Sequence, residues 1–139
     1  MTTASDDATR RDGNVAAVRE VMAAINAVDG GTLGTHLADD VSYEAPYYNL
    51  HKTSRDDLVQ MFVGLASRFD TLDYQVTDVF PALDPDLVIF EVRGDHPVTG
   101  SSKRYQNHYI MFAHFRDGKI ARWVEFSNPK IYEAATAPA

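Results

Sequence analysis

The chain contains no cysteine. Disulfides, thiolate nucleophiles and thiolate-held zinc are therefore excluded at once. Basic residues are in deficit, with 13 Lys and Arg against 20 Asp and Glu and a formal net charge of -7. Binding to phosphate backbones or anionic membrane surfaces needs clustered cations, so nucleic acid and membrane are not expected partners. No apolar run approaches the roughly 20 residues that span a bilayer, and the opening Met1-Thr-Thr-Ala-Ser-Asp-Asp lacks a basic, then apolar, leader pattern. The expectation is a cytoplasmic protein. Glycine-rich phosphate loops are missing too, since Gly30-Gly31 and Gly34 follow a helical pattern and not a strand. No Gly-x-Ser-x-Gly elbow surrounds Ser101-Ser102, and no His-x-x-x-His spacing proposes a metal site. Neither a metal nor a cofactor is expected.

What is present suits one globular domain of 139 residues, with 45% hydrophobic, 24% charged and 11% aromatic residues. Residues 1–12 and 134–139 carry no periodic apolar pattern and are expected to be flexible. Asn14 is read as the N-cap of a first helix, in which Val15, Val18, Val21, Met22, Ile25 and Val28 recur at helical spacing until Asp29-Gly30-Gly31. A helical turn over Thr32 to Leu37 leads to a strand from Val41 to Tyr48, which Pro46 marks as an edge or an end. Ser54, with Asp57 three residues on, caps a second helix reaching about Arg68. Four strands follow, Leu72 to Phe80, Asp86 to Arg93, Lys103 to Arg116 and Lys119 to Phe126. Asp117-Gly118 between the last two supplies the positive φ angles of a two-residue hairpin turn. Helices first and antiparallel strands afterwards define an α+β fold.

That hairpin gives a register. With Arg116 opposite Lys119 and no bulge, Phe112 faces Trp123, Ile110 faces Glu125, and His108 faces Ser127, all on one side of the sheet. The other side takes Tyr105, Asn107, Tyr109, Met111 and Phe115 with Ile120, Arg122, Val124 and Phe126. Both faces read as substantially buried, so a homodimer through the outer sheet face is expected. Glu125 stands out, because Trp123-Val-Glu-Phe126 is otherwise apolar and a charge there is costly unless paired or protonated. One reading makes Glu125 a catalytic acid/base with a raised pKa and His108 its partner. Another has it salt-bridged to Arg104 or Arg122, or exposed at a strand end. Tyr43, Tyr47, Phe62, Ile110, Phe112 and Trp123 are the candidate walls of a substrate pocket, although aromatic residues at such spacings also serve as plain core. His36 and His51 fall in surface segments, His96 in a loop, and His114 where it satisfies a backbone carbonyl.

The element order and several short motifs resemble the nuclear-transport-factor-2-like, SnoaL-like superfamily over nearly the whole chain. The marks are Ala23-Ala24-Ile25-Asn26-Ala27, Leu37-Ala38-Asp39-Asp40-Val41, Ser54-Arg55-Asp56 and Phe115-Arg-Asp-Gly-Lys-Ile120. Val79-Phe80, Asp84-Pro85-Asp86, Tyr105-Gln-Asn-His108 and Glu125-Phe-Ser-Asn-Pro129 are similar to the phenazine-biosynthesis A/B proteins. The resemblance implies a cone-shaped, curved antiparallel sheet with about three N-terminal helices on its concave face, as in cystatin-like folds. It also implies an acid/base role for Glu125. Met61 and Leu65 stand where phenazine-type proteins carry a histidine and a serine, which speaks against phenazine precursor condensation. Val21, Ala45 and Phe112 or Ala113 occupy the positions of the three ketosteroid isomerase site residues, and the Asp-Arg-Asp set of epoxide hydrolysis is missing.

Three functions are compatible with these residues. The first is a cofactor-independent isomerase, dehydratase or cyclase acting on a small hydrophobic substrate. A non-catalytic binding module for a hydrophobic metabolite is the second. An interaction protein with a filled interior is the third.

Overall fold

The computed structural model of the chain describes residues 4–138, so the expectation of flexible ends lies outside the described residues at 1–3 and 139. Helix α1 runs over Ala4–Asn26 and starts ten residues before the expected cap at Asn14. Asn14 is buried inside that helix and donates from Nδ2 to the Pro85 carbonyl at 2.9 Å. Arg10 forms a two-pronged pair with Asp86, at 3.1 and 2.9 Å. The polar N-terminal stretch is thus helical because its side chains find partners on a distant loop, a gain that periodicity cannot register.

Val28, at φ 54°, ends the helix, and Asp29 caps α2 (Gly30–Thr35) by accepting from the Thr32 N–H. Strand β1 (Leu37–Ala45) begins earlier than the apolar alternation suggested and stops at Pro46, which opens a single 3-10 turn over Pro46–Tyr48. A three-residue strand β2 (Leu50–Lys52) contains His51 and pairs antiparallel with β1. Ser54 caps α3 (Arg55–Gly64) through the Asp57 N–H at 3.1 Å. Four strands follow: β3 (Tyr74–Pro81), β4 (Leu87–Pro97), β5 (Arg104–Arg116) and β6 (Lys119–Phe126). The chain closes with α4 (Pro129–Thr136), capped by Asn128, in place of the frayed tail expected from Ala134 onward.

The six strands form one curved, unclosed sheet in the order β2-β1-β6-β5-β4-β3. The class is α+β as expected, but the sheet is mixed, because β1 runs parallel to β6. Every other pairing is antiparallel. Odd-numbered residues of β5 from Tyr105 to Phe115 are buried against the helices, while even-numbered ones face outward, an alternation set by the two-residue period of a strand. Asn26 fastens the end of α1 to β3, donating to the Tyr74 carbonyl at 2.9 Å and accepting from the Tyr74 N–H at 2.7 Å.

The β5–β6 hairpin turns at Asp117 and Gly118, at φ 53° and 78°, as the dipeptide requires. Its register then slips. Phe115 pairs with Ile120 but His114 pairs with Arg122, so Ala121 is the extra residue of a bulge. Beyond it Ala113 pairs with Trp123 and Met111 with Glu125. Because successive strand residues point to opposite faces, this one residue changes which β5 side chains share a face with Glu125.

A candidate site around Glu125

Between the inner face of the sheet and the helices lies a cavity of about 530 Å³. Glu125 lines it from β6, Tyr105, Tyr109 and Met111 from β5, and Tyr74 from β3. Phe62 of α3 and Tyr43 of β1 form one wall, edge to face at 5.7 Å. Tyr132 of α4 covers another side, and Lys52, Gln60 and Arg68 supply polar heads, Arg68 donating to the Tyr132 hydroxyl. The volume suits a small organic molecule.

Glu125 is only 7% exposed, and its carboxyl makes no hydrogen bond or ion pair among the described residues. Arg104, offered by the sequence as a partner, instead binds Asp95 at 2.8 Å. Arg122, the other, is exposed on the opposite face from Glu125, three residues along the bulged strand. Burial in apolar surroundings opposes ionisation and pushes the Glu125 carboxyl up to about 8. At neutral pH the acid form prevails, so the group can give up a proton and, once deprotonated, is a stronger base than an exposed carboxylate.

Next to it on β5 lies an ordered polar chain. Asn107 is buried, donating from Nδ2 to the Tyr105 hydroxyl at 2.9 Å and to the Asn128 carbonyl at 3.0 Å. Its Oδ1 accepts from the His108 N–H at 2.9 Å. The Tyr105 and Tyr109 hydroxyls are hydrogen-bonded to each other at 2.5 Å. Burial raises the pKa of Tyr74, Tyr105 and Tyr109 well above the usual phenol value, so all three stay protonated.

The bulge sends several sequence-predicted site residues elsewhere. His108 lies on the outer face, half exposed, with Nε2 3.7 Å from Glu91. Ile110 is 44% exposed on the same face, and Phe112 packs there edge-on to Phe126 at 6.2 Å. Tyr47 is 64% exposed, since Pro46 ends the strand alternation and turns the ring outward against Phe126 at 5.4 Å. Trp123 faces inward but stands behind the wall, stacked on Phe62 at 5.2 Å, with its indole N–H lacking a hydrogen-bond partner among the described residues. Glu125, Tyr43 and Phe62 do border the cavity.

His96 is not in a loop. It is fully buried in β4, where Nδ1 accepts from the Asp73 N–H at 2.9 Å and the ring meets Tyr74 at 4.5 Å. Burial lowers its pKa and keeps it neutral. The tyrosines were visible in the alternation Tyr105-x-Asn-x-Tyr109-x-Met111, which the unbulged register assigned to the wrong face.

A curved sheet wrapped about helices and a cavity defines the ketosteroid-isomerase-like, nuclear-transport-factor-2-like fold. Within it the chain belongs to the SnoaL-like domain family, whose model matches residues 18–123. A phenazine biosynthesis-related protein from Pseudomonas aeruginosa superposes with a TM-score of 0.79 at 20% identity, covering 97% of this chain and 92% of that one. A protein of ketosteroid isomerase-like fold from Catenulispora acidiphila, solved in complex with trimethylamine, gives 0.77 at 16%, covering 88% and 93%. An LEH-like epoxide hydrolase from M. tuberculosis gives 0.75 at 16%, covering 90% of each chain. No curated protein sequence matches the chain. No helix among the described residues is long and apolar enough to cross a membrane. The fold is thus one shared with proteins named for chemistry on small molecules, and at such identities the likeness carries the fold alone.

Proposed function

We propose that the chain is a cofactor-independent acid/base enzyme that moves a proton on a small, largely apolar substrate, in an isomerisation, dehydration or cyclisation, with Glu125 as the acid/base. The observation that carries this reading is a buried carboxyl with no hydrogen-bond or ion-pair partner among the described residues, facing a cavity of about 530 Å³. A stable fold gains nothing from such a group, because burying it costs free energy that a leucine would not. Its use lies in a pKa of about 8, near the operating pH of a cell, where proton transfer in either direction is efficient. His108 has no part in it, being on the other side of the sheet.

Glu125→Gln keeps the size of the side chain and removes the transferable proton. It should reduce turnover by about 100-fold or more while leaving ligand affinity nearly intact. Turnover unchanged in that variant would remove Glu125 from the reaction. Saturable binding without conversion in the unaltered protein would favour a carrier or sensor of hydrophobic metabolites.

We also propose that the outer sheet face joins two copies of the chain. Ile110, Phe112 and Phe126 support this, as apolar groups on the surface side of neighbouring strands.

A further inference from the structure

On the side of the sheet away from the cavity, a trough of about 560 Å³ runs across β3, β4 and β5. Its floor is backbone at Gly94 and Asn107, which pair with each other and turn inward. Strand residues two apart share a face, so longer side chains stand on either side of that floor. One wall is Gln75, Arg93 and His108, in register across the three strands. The other is Asp73, Asp95 and Gln106, the Asp95 N–H donating to the Asp73 carbonyl at 3.0 Å. Gln75 reaches across to Asp73 at the β3 end, at 3.5 Å. Strand β6 has ended by this level of the sheet, and Asn128 and Ile131 at the start of α4 close the far end. In a chain with 20 acidic and 13 basic residues, a cation with no acid beside it is out of the ordinary. Arg93 is such a cation, its guanidinium making no hydrogen bond or ion pair among the described residues. The carboxylates that flank it along β4 are engaged elsewhere, Glu91 lying 3.7 Å from His108 Nε2 and Asp95 accepting from Arg104 at 2.8 Å and Gln106 at 3.3 Å. Asp73 is the counterpart, a carboxylate in no ion pair whose one side-chain bond is the long one from Gln75. Arg93 and Asp73 are diagonal neighbours on adjacent strands, with Cβ atoms about 7–8 Å apart.

We propose that this trough is a second small-molecule site, separate from the cavity, which binds an α-amino acid with a long apolar side chain: its carboxylate on Arg93, its ammonium on Asp73, and its side chain laid over β5 toward Ile131. The planar fork of a free guanidinium matches a carboxylate in two parallel hydrogen bonds. Asp73 and Asp95 on the facing wall repel a dianion such as phosphate and favour a ligand that brings its own cation. Neighbouring strands lie about 4.8 Å apart, so from a head group over β3 and β4 the start of α4 is about 5–10 Å further on, the reach of a phenylalanine or methionine side chain. Ile131 stands there 38% exposed, and an apolar side chain that covers it gains by burial. The volume leaves room for bridging water as well. The trough and the cavity share no lining residue. It begins one row beyond Ile110 and opens at β3, the edge of the sheet, so it adjoins the face assigned to self-association without including Phe112 or Phe126.

The test uses the full chain and L-phenylalanine, beside three probes that each lack one part of it: hydrocinnamate without the ammonium, phenethylamine without the carboxylate, and glycine without the side chain. Inorganic phosphate is the anion control. Affinity is read by calorimetry and location by amide chemical-shift mapping. L-Phenylalanine should bind with a Kd of about 1 mM or tighter and move the amides of Gly94, Gln106 and Asn107. Each truncated probe should bind roughly tenfold more weakly or worse. Arg93→Gln should remove the advantage of phenylalanine over phenethylamine, and Asp73→Asn its advantage over hydrocinnamate. Both side chains are exposed, so the fold tolerates their replacement. Glu125→Gln should leave phenylalanine affinity as it was, because the carboxyl lies across the sheet. No saturable binding up to about 10 mM overturns the proposal, as does phosphate or hydrocinnamate binding as tightly as phenylalanine. Amide shifts confined to cavity residues such as Met22 and Met111 overturn it too. Binding that appears only in Ile110→Lys would show that a second copy of the chain fills the trough, and would equally dispose of it.

Discussion

Glu125 ties the stability of the molecule to pH in a direction opposite to that of ordinary salt-bridged carboxylates. Its folded pKa, about 8, lies above the usual glutamate value. The folded state therefore holds the proton more tightly than the unfolded chain, and burial is tolerated fully only below the unfolded pKa. Stability is lost as pH rises toward 8, by something on the order of 5 kcal/mol across that span. Glu125→Gln should erase this dependence. In melts from about pH 5 to about pH 9, the variant should gain on the parent as pH rises toward 8 and then hold a constant lead, and parallel curves throughout would show that the carboxyl is not buried in solution. The glutamate itself was legible in the sequence, as a charge in an apolar strand. Its surroundings were not, because a neighbour list depends on register, and register depends on a bulge at Ala121 that no local residue preference announces.

At the level of elements, the hairpin turn, the Ser54-capped helix α3 and the four late strands followed from turn chemistry and periodicity, whereas α2 begins two residues before the turn expected over Thr32 to Leu37 and is capped by Asp29, which in the sequence reads as a stop. The early start of α1, the short β2 and the closing α4 did not. Each depends on tertiary partners: Asp86 and Pro85 for α1, β1 for β2, and β5 for α4. The same dependence makes Gly94 a sensitive position in β4. A methyl group there would come within 3.3 Å of both Tyr74 and Tyr109 and 3.4 Å of His96 Nε2. Both rings are buried and hemmed in by their neighbours, so neither can withdraw freely. Gly94→Ala should cost about 1–2 kcal/mol in denaturant unfolding and disturb ligand binding as well, since the displaced tyrosines belong to the cavity. An unchanged unfolding midpoint would mean that the strand shifts to accommodate the methyl.

For the whole molecule, the outer face offers a direct test of assembly. Ile110→Lys places a charge at the centre of that face without touching the cavity, because Ile110 points away from it. Sedimentation velocity at micromolar concentration should show a dimer for the parent chain and a monomer for the variant, and a monomeric parent would dispose of the pairing. The mixed character of the sheet matters at this scale for a different reason. Strand β1 is held on one side by its neighbour β2 and on the other by β6, whose residues lie more than half the chain away. The cavity wall carrying Tyr43 and the strand carrying Glu125 are thus joined by one of the most distant contacts in the molecule. Closing a loop of that length comes late and slowly in folding. A ribosome-bound chain that stops before β6 would have α1, α2, α3 and the strands β3, β4 and β5 but neither Glu125 nor the α4 cover, and the cavity would be completed only when the last strand slides in beside the first.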